Sequence, residues 1–187
     1  ALHQMVRTGK VRVASDADQQ RQFELLMDMA ADCGYLHYEI SNFAKPGKEA
    51  QHNSSYWQGA PYLGIGPSAH SFNGHSRQWN VANNARYLAA IEKGEIPAEI
   101  EQLSPYDRFN ERILTSLRTS AGLSLHQLET DFGAAWLQHL HAALGDIDAD
   151  WYQLHADRLV LTRAGRHFAD RIASELFILA DDDEPNP

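Results

Sequence analysis

Cys33-Gly34-Tyr35-Leu36-His37-Tyr38-Glu39-Ile40 decides the fold class, because it joins a helix signal to a strand signal across one glycine. Upstream, Ser15 suits a helix N-cap, and Asp16 and Asp18 place carboxylates in the first turn, where the helix dipole favours them. Phe23, Leu26, Met27 and Ala30 recur at helical spacing, and Gly34 closes the run. The six residues from Tyr35 to Ile40 are rich in aromatic and branched side chains and match the length of a strand. Helix, glycine and strand in succession form the rhythm of an α/β unit.

Downstream, loop chemistry runs from Ser41 to Gly59, with Pro46-Gly47 as its turn signal. Tyr62-Leu63-Gly64-Ile65-Gly66 predicts a short strand before a turn at Pro67-Ser68, and the polar stretch from Ser71 to Asn80 reads as irregular. Val81 to Lys93 predicts a helix with Tyr87, Leu88 and Ile91 on one face and Gly94 as its stop. Ile96-Pro97 breaks that pattern and opens a second, mostly helical unit. There, Ser104-Pro105 places a cap before a proline at the first helical position, and Phe109, Ile113, Leu114 and Leu117 supply the apolar stripe. Ser124 and Gln127 have capping-box spacing, and a further helix spans Ala134 to Leu144. Trp151–Leu154 and Arg158–Leu161 read as two brief strands about a turn at Ala156-Asp157. Thr162 then caps a last helix carrying Phe168, Ile172, Leu176 and Leu179. Helices, a hairpin and a closing helix give the second unit a winged-helix-like layout.

The 187 residues suffice for one large domain or two small ones, and 43% hydrophobic with 22% charged residues is ordinary globular composition. A net charge of -9 argues against a nucleic-acid partner, since affinity for a phosphate backbone comes from clustered Lys and Arg. Part of that charge sits in Asp181-Asp182-Asp183-Glu184, which reads as a solvated tail. Cys33 is the only cysteine, so no intrachain disulfide and no thiolate-ligated cluster can form from this chain. No apolar run approaches the ~20 residues of a membrane span. Ala1-Leu2-His3-Gln4-Met5 is neither a secretory signal nor an initiator sequence, so the expectation is a cytoplasmic chain beginning within a longer protein.

The chemically suggestive stretch is His52-Asn53-Ser54-Ser55-Tyr56-Trp57. A neutral imidazole ligates haem iron, aromatic rings cover porphyrin faces, and a neighbouring amide can orient the imidazole. On residue chemistry alone, a histidine in an aromatic loop is more often a hydrogen-bonded structural residue. Gly64-Ile65-Gly66 lacks the third glycine of a dinucleotide fingerprint, and serves a tight turn or close packing equally well. Glu39 is either a carboxylate inside a barrel or a satisfied strand residue. His139 and His141, two apart on a helix, do not share a face as a metal pair would. Asp146, Asp148 and Asp150 alternate like a calcium loop but lack its glycine and its final glutamate, since Asp157 holds that place, and so read as a solvated loop. Cys33 reads as a small buried side chain.

Tyr38-Glu39-Ile40-Ser41-Asn42-Phe43-Ala44, the Pro-Gly turn and the His-Asn-x-x-Tyr-Trp hexapeptide together resemble the HemW-type haem chaperones, relatives of oxygen-independent coproporphyrinogen III oxidase. The resemblance continues through Tyr62 to Ser71 and returns at Leu117-Arg118-Thr119 and Leu161-Thr162-Arg163-Ala164-Gly165. It implies an α/β plus α chain: residues 1–98 as the C-terminal part of a partial (β/α) radical-SAM barrel, and 99–187 as a helical, winged-helix-like domain of the HemN C-terminal type. It implies haem binding at His52, Asn53, Tyr56 and Trp57, with His52 as the iron ligand, and places Ala69 and His70 near S-adenosylmethionine. The implied partners are haem, the missing N-terminal half of the same protein, and a haem-acceptor protein. S-adenosylmethionine and the [4Fe–4S] cluster would be held by the full-length parent, because the three-cysteine motif is absent here. Without it the chain should not perform radical chemistry unaided. Many relatives carry a basic residue before the His-Asn pair, where this chain has Gln51. A propionate contact from that position would then fall to Lys45, Lys48 or Arg77. The alternatives are a fragment of coproporphyrinogen III oxidase acting in porphyrin biosynthesis and, outside the family, a winged-helix-like protein-interaction module.

Overall fold

The computed structural model describes residues 2–179, so the acidic run read as a solvated tail lies outside the described residues. The chain divides into two compact units, one up to Glu49 and the other from Ala50 onward.

The first unit contains α1 (Leu2–Arg7), α2 (Asp16–Asp32), β1 (Leu36–Glu39) and β2 (Asn42–Ala44). The Ser15 side chain accepts from the Asp18 amide at 3.2 Å and starts α2, as its sequence predicts. Gly34 takes φ +70°, the left-handed conformation that ends the helix. The expected strand forms, but its partner comes from the segment read as loop: β1 pairs antiparallel with β2 in the register Leu36↔Ala44 and His37↔Phe43. The His37 and Phe43 rings stack across that pair, 4.2 Å between centroids. Cys33 is exposed at the end of α2, which corrects its reading as a buried side chain. Cys33 lies six positions beyond Met27, the buried residue of α2, and so falls on a different side of the helix.

The second unit begins with α3 (Gln51–Trp57), followed by β3 (His70–Phe72), β4 (Ser76–Asn80), α4 (Asn84–Ile91) and β5 (Ala98–Gln102). Three expectations need correction here. The hexapeptide is helical rather than looped. Tyr62–Gly66 forms no strand beyond a single antiparallel bridge, Tyr62↔Phe72. The stretch read as irregular instead supplies β3 and β4, which join β5 in a sheet of order β3-β4-β5. These strands are polar because their stabilisation lies in pairing, including the cross-strand partners Arg77 and Glu101.

The rest of this unit runs α5 (Pro105–Leu117), β6 (Leu123–Ser124), α6 (Leu125–Phe132), α7 (Ala134–Leu144), β7 (Tyr152–His155), β8 (Arg158–Leu161) and α8 (Ala169–Glu175). Its small sheet has the order β6-β8-β7. Ser104 and Asp107 form a reciprocal capping box that starts α5. Phe109, Ile113 and Leu117, four apart, bury one stripe of that helix almost completely. Among the described residues, every buried apolar side chain except Met27 and Ala44 lies between Phe109 and Leu176. The last helix is shorter than its pattern suggests. Thr162 caps a 3-10 turn, Gly165–Phe168, by accepting from the Gly165 amide at 3.1 Å, and α8 ends before Leu179, which is exposed. Gly165 is required by close approach: a Cβ there would lie 1.9 Å from the Trp151 carbonyl oxygen. All strand pairing among the described residues is antiparallel.

Candidate functional site

Helix α3 has no side-chain cap, since Ala50 stands at its N-terminus, and a seven-residue helix is too short to persist on propensity alone. Tertiary contact compensates. The Arg118 guanidinium lies over the Trp57 indole at 5.2 Å, and Arg118 also pairs with Asp170 at 2.7 Å. Helical spacing puts His52 and Tyr56 on one face of α3 and Asn53 and Trp57 on the adjoining one. The His52 imidazole is exposed, whereas Asn53 and Trp57 are half-buried. Trp57 Nε1 is buried and has no hydrogen-bond partner. The structure therefore brings the four hexapeptide residues onto one short helix, with an accessible imidazole one turn from Tyr56.

Tyr56 borders a cleft of about 280 Å³. Its apolar wall comprises Tyr56, Tyr62, Phe72 and Phe132, and its charged wall comprises Arg108, Glu111, Arg112 and Asp131. The aromatic wall is continuous, with ring centroids 5.3 Å apart for Tyr56–Tyr62 and 6.1 Å for Tyr62–Phe72. Burial, helped by a hydrogen bond with Tyr56, pushes the Tyr62 phenol up to about 12, so it stays neutral across the physiological range. On the charged wall, Glu111 is engaged by Arg77, and Asp131 by Arg112 at 3.5 Å. Arg108 has no carboxylate partner among the described residues, and its Nε is buried without a hydrogen-bond acceptor.

The Gly64–Gly66 segment is clamped beside this sheet. Asn80, buried on β4, donates from Nδ2 to the Gly66 carbonyl at 2.9 Å and to that of Gly64 at 3.3 Å. The Gly64 amide donates to Ser71 Oγ at 3.0 Å, and the Gly66 amide to the Tyr87 hydroxyl at 3.2 Å. A Cβ on Gly64 would lie 2.1 Å from the His70 carbonyl oxygen, so close packing explains this glycine. Leu63 and Ile65 project outward, 77% and 84% exposed. Ala69 uses both backbone groups locally, donating to Gly66 and accepting from Asn80. His70 is exposed on β3, with its ring 6.4 Å from that of Trp79.

Glu39 is buried, with its carboxylate accepting from the Ser41 amide at 3.0 Å and from Asn42 Nδ2. It is thus a satisfied strand residue. His139 is half-buried with Nε2 3.3 Å from the Phe177 carbonyl, while His141 is exposed. Asp146, Asp148 and Asp150 are exposed, and Asp148 accepts from the Asp150 amide. No group of three or more His, Cys, Asp or Glu arranged to hold a metal ion occurs among the described residues.

Sequence reasoning passed over Arg108. Within α5 the apolar stripe carries the pattern, and an arginine beside it looks like ordinary surface. The available signal was its spacing from Glu111 and Arg112, which places three charged groups on one side of that helix.

The HemN C-terminal domain model matches residues 103–168, the segment that contains most of the buried core. The protein named heme chaperone HemW from Mycobacterium tuberculosis is 36% identical over 177 residues, covering 94% of this chain and 44% of its own length. Its namesake from Bacillus subtilis is 30% identical over 133 residues, covering 71% and 35%. Among solved structures, the coproporphyrinogen III oxidase HemN from Escherichia coli, a radical SAM enzyme, superposes with a TM-score of 0.63 at 15% identity, over 82% of this chain and 39% of that one. The chain thus spans less than half the length of the curated relatives it matches. From the hexapeptide helix through the core-bearing domain, the chain belongs to the HemW/HemN family of radical-SAM relatives.

Proposed function

We propose that this chain supplies the haem-binding region of a HemW-type haem chaperone, with His52 as the iron ligand. The observation that carries the reading is the 36% identity to a protein named heme chaperone HemW over 94% of this chain. The geometry fits the ligand type: an exposed imidazole on α3, the Tyr56 ring one turn away beside an aromatic cleft, and a buried indole donor on Trp57 with no partner. When bound, haem supplies an iron centre that takes a neutral imidazole and a flat apolar face that favours aromatic contact. His52 would hold the metal, Tyr56 would meet the ring, and Asn53 would orient the imidazole.

Residues 1–98 are read as part of a (β/α) radical-SAM barrel, and 99–187 as the HemN C-terminal-type domain. The order α5-β6-α6-α7-β7-β8, with its sheet arranged β6-β8-β7, supports a winged-helix description of the latter. Exposed Leu25, Leu26, Met29 and Leu36 in the first unit, and Leu63, Ile65, Ile96 and Ile100 in the second, suit burial by the remainder of a barrel. The N-terminal half of such a protein and a haem-acceptor protein are the partners this reading requires. Ala69 and His70 would lie by S-adenosylmethionine in that assembly. The [4Fe–4S] cluster does not fit the residues present, because a single exposed cysteine cannot supply a thiolate set. The oxidase reading is favoured by the HemN superposition alone, which at 15% identity speaks to fold.

Titration with hemin tests the assignment. Wild type should give a shifted Soret band that His52→Ala weakens. Identical spectra and affinities in the two proteins would remove His52 as the ligand.

A further inference from the structure

A cleft with one aromatic wall and one charged wall selects for a ligand that is itself two-sided. The rings of Tyr56, Tyr62 and Phe72 offer a continuous apolar surface. Opposite them the charges are unequal in availability. Arg77 takes Glu111, and Arg112 takes Asp131, so both acids of the lining are already neutralised. Arg108, half-buried in the lining, is left without a carboxylate partner among the described residues, and its Nε has no acceptor. A carboxylate approaching a guanidinium edge-on can take two N–H groups at once, so a half-buried arginine with no acid partner suits an acidic ligand.

We propose that this cleft is a carboxylate-binding site in which Arg108 holds the acidic edge of a flat aromatic ligand while Tyr56, Tyr62 and Phe72 cover its face. Resting on the haem-chaperone reading, the site takes a porphyrin propionate. It also supplies the basic contact that Gln51 does not, and that Arg77, committed to Glu111, cannot give freely.

The test separates the acid contact from the iron contact. Metal-free protoporphyrin IX and its dimethyl ester are titrated by fluorescence against wild type, Arg108→Gln and Arg108→Lys, with hemin and His52→Ala run alongside. Wild type should bind the free acid about tenfold more tightly than the ester, as one charge-assisted hydrogen bond of about 1.4 kcal/mol predicts. Arg108→Gln should erase that preference, and Arg108→Lys should retain part of it. His52→Ala should weaken hemin and leave the acid-over-ester preference intact. Equal discrimination by wild type and Arg108→Gln would overturn the proposal, as would a wild type that does not distinguish acid from ester. The latter comparison stands even if Arg108→Gln misfolds. Should hemin binding depend on His52 while the acid preference is missing, only the Arg108 site falls. If wild type binds no porphyrin at all, both readings fall together.

Discussion

Gly165→Ala places a methyl group where the chain has no room for one. The Cβ would stand 1.9 Å from the Trp151 carbonyl oxygen and 2.8 Å from the carbonyl carbon, and both obstacles are backbone. Relief requires that contact to open to at least 3.0 Å, so Trp151 and the 3-10 turn must move apart. The same Trp151 oxygen accepts from the Thr162 amide at 2.9 Å, and Thr162 Oγ1 in turn accepts from the Gly165 amide at 3.1 Å. Separation therefore strains the hydrogen bonds that seat α8 behind the β7–β8 hairpin. Overpacking of this kind costs about 1–3 kcal/mol. Loss of one hydrogen bond adds about 1 kcal/mol. The lower entropy of an unfolded alanine returns about 0.4–1 kcal/mol. The expected net destabilisation is roughly 1–4 kcal/mol, read as a lower urea midpoint at unchanged slope. Gly145→Ala serves as the comparison, because its Cβ would meet only the Ala142 carbonyl at 3.1 Å with φ −63°. A Gly165→Ala midpoint equal to that of wild type would refute the close-packing account.

Asn110 ties α5 to the segment after α8, donating to the Ile178 carbonyl at 2.8 Å and accepting from its amide at 2.9 Å. Asn110→Ala should speed hydrogen exchange at the Ile178 amide while leaving the Ile113 amide as protected as before; unchanged exchange at Ile178 would show that the tie is not needed. At Asp157, hydrogen bonds from Ser124 Oγ and then from the His126 amide hold the carboxyl below its ordinary 3.8. A depressed folded pKa stabilises above the unfolded value, and that contribution disappears as pH falls through the folded one. The stability gap between wild type and Asp157→Asn should accordingly be present at neutral pH and close below about pH 3.8, as followed by circular dichroism against urea. A gap that widens on acidification would contradict the sign.

Where local chemistry specifies an element, the sequence was readable. Ser15 and Gly34 bound α2, Ser104-Pro105 with Asp107 starts α5, and Ala156-Asp157 turns β7 into β8 with Ala156 at φ +49°. Elements held by distant partners were not readable. Helix α3 has neither a side-chain cap nor an apolar stripe, and its Trp57 meets Arg118 sixty-one positions later, so its residues look like a loop. Strands β4 and β5 are polar in themselves and become strands through pairing that begins at Asn80↔Ala98 and ends at Ser76↔Gln102. The candidate site divides the same way. The hexapeptide is contiguous and stands out as a string, whereas Arg108 draws notice only once folding gives Arg77 to Glu111 and leaves Arg108 beside Tyr56 with no carboxylate partner among the described residues.

The concentration of buried apolar side chains between Phe109 and Leu176 predicts two tempos of amide exchange in the described residues. Amides under that core open only with unfolding of the core itself, whereas those of α3 and the strands before α5 open by small local excursions. The hexapeptide thus sits on the more yielding ground, next to a firm wall formed by α5 and α6. A ligand entering between them must order the looser side, and part of its binding free energy is spent there. In return, occupancy should slow exchange in α3 far more than in α5. On the proposed reading, loading would register as a stiffening of the short helix that carries His52.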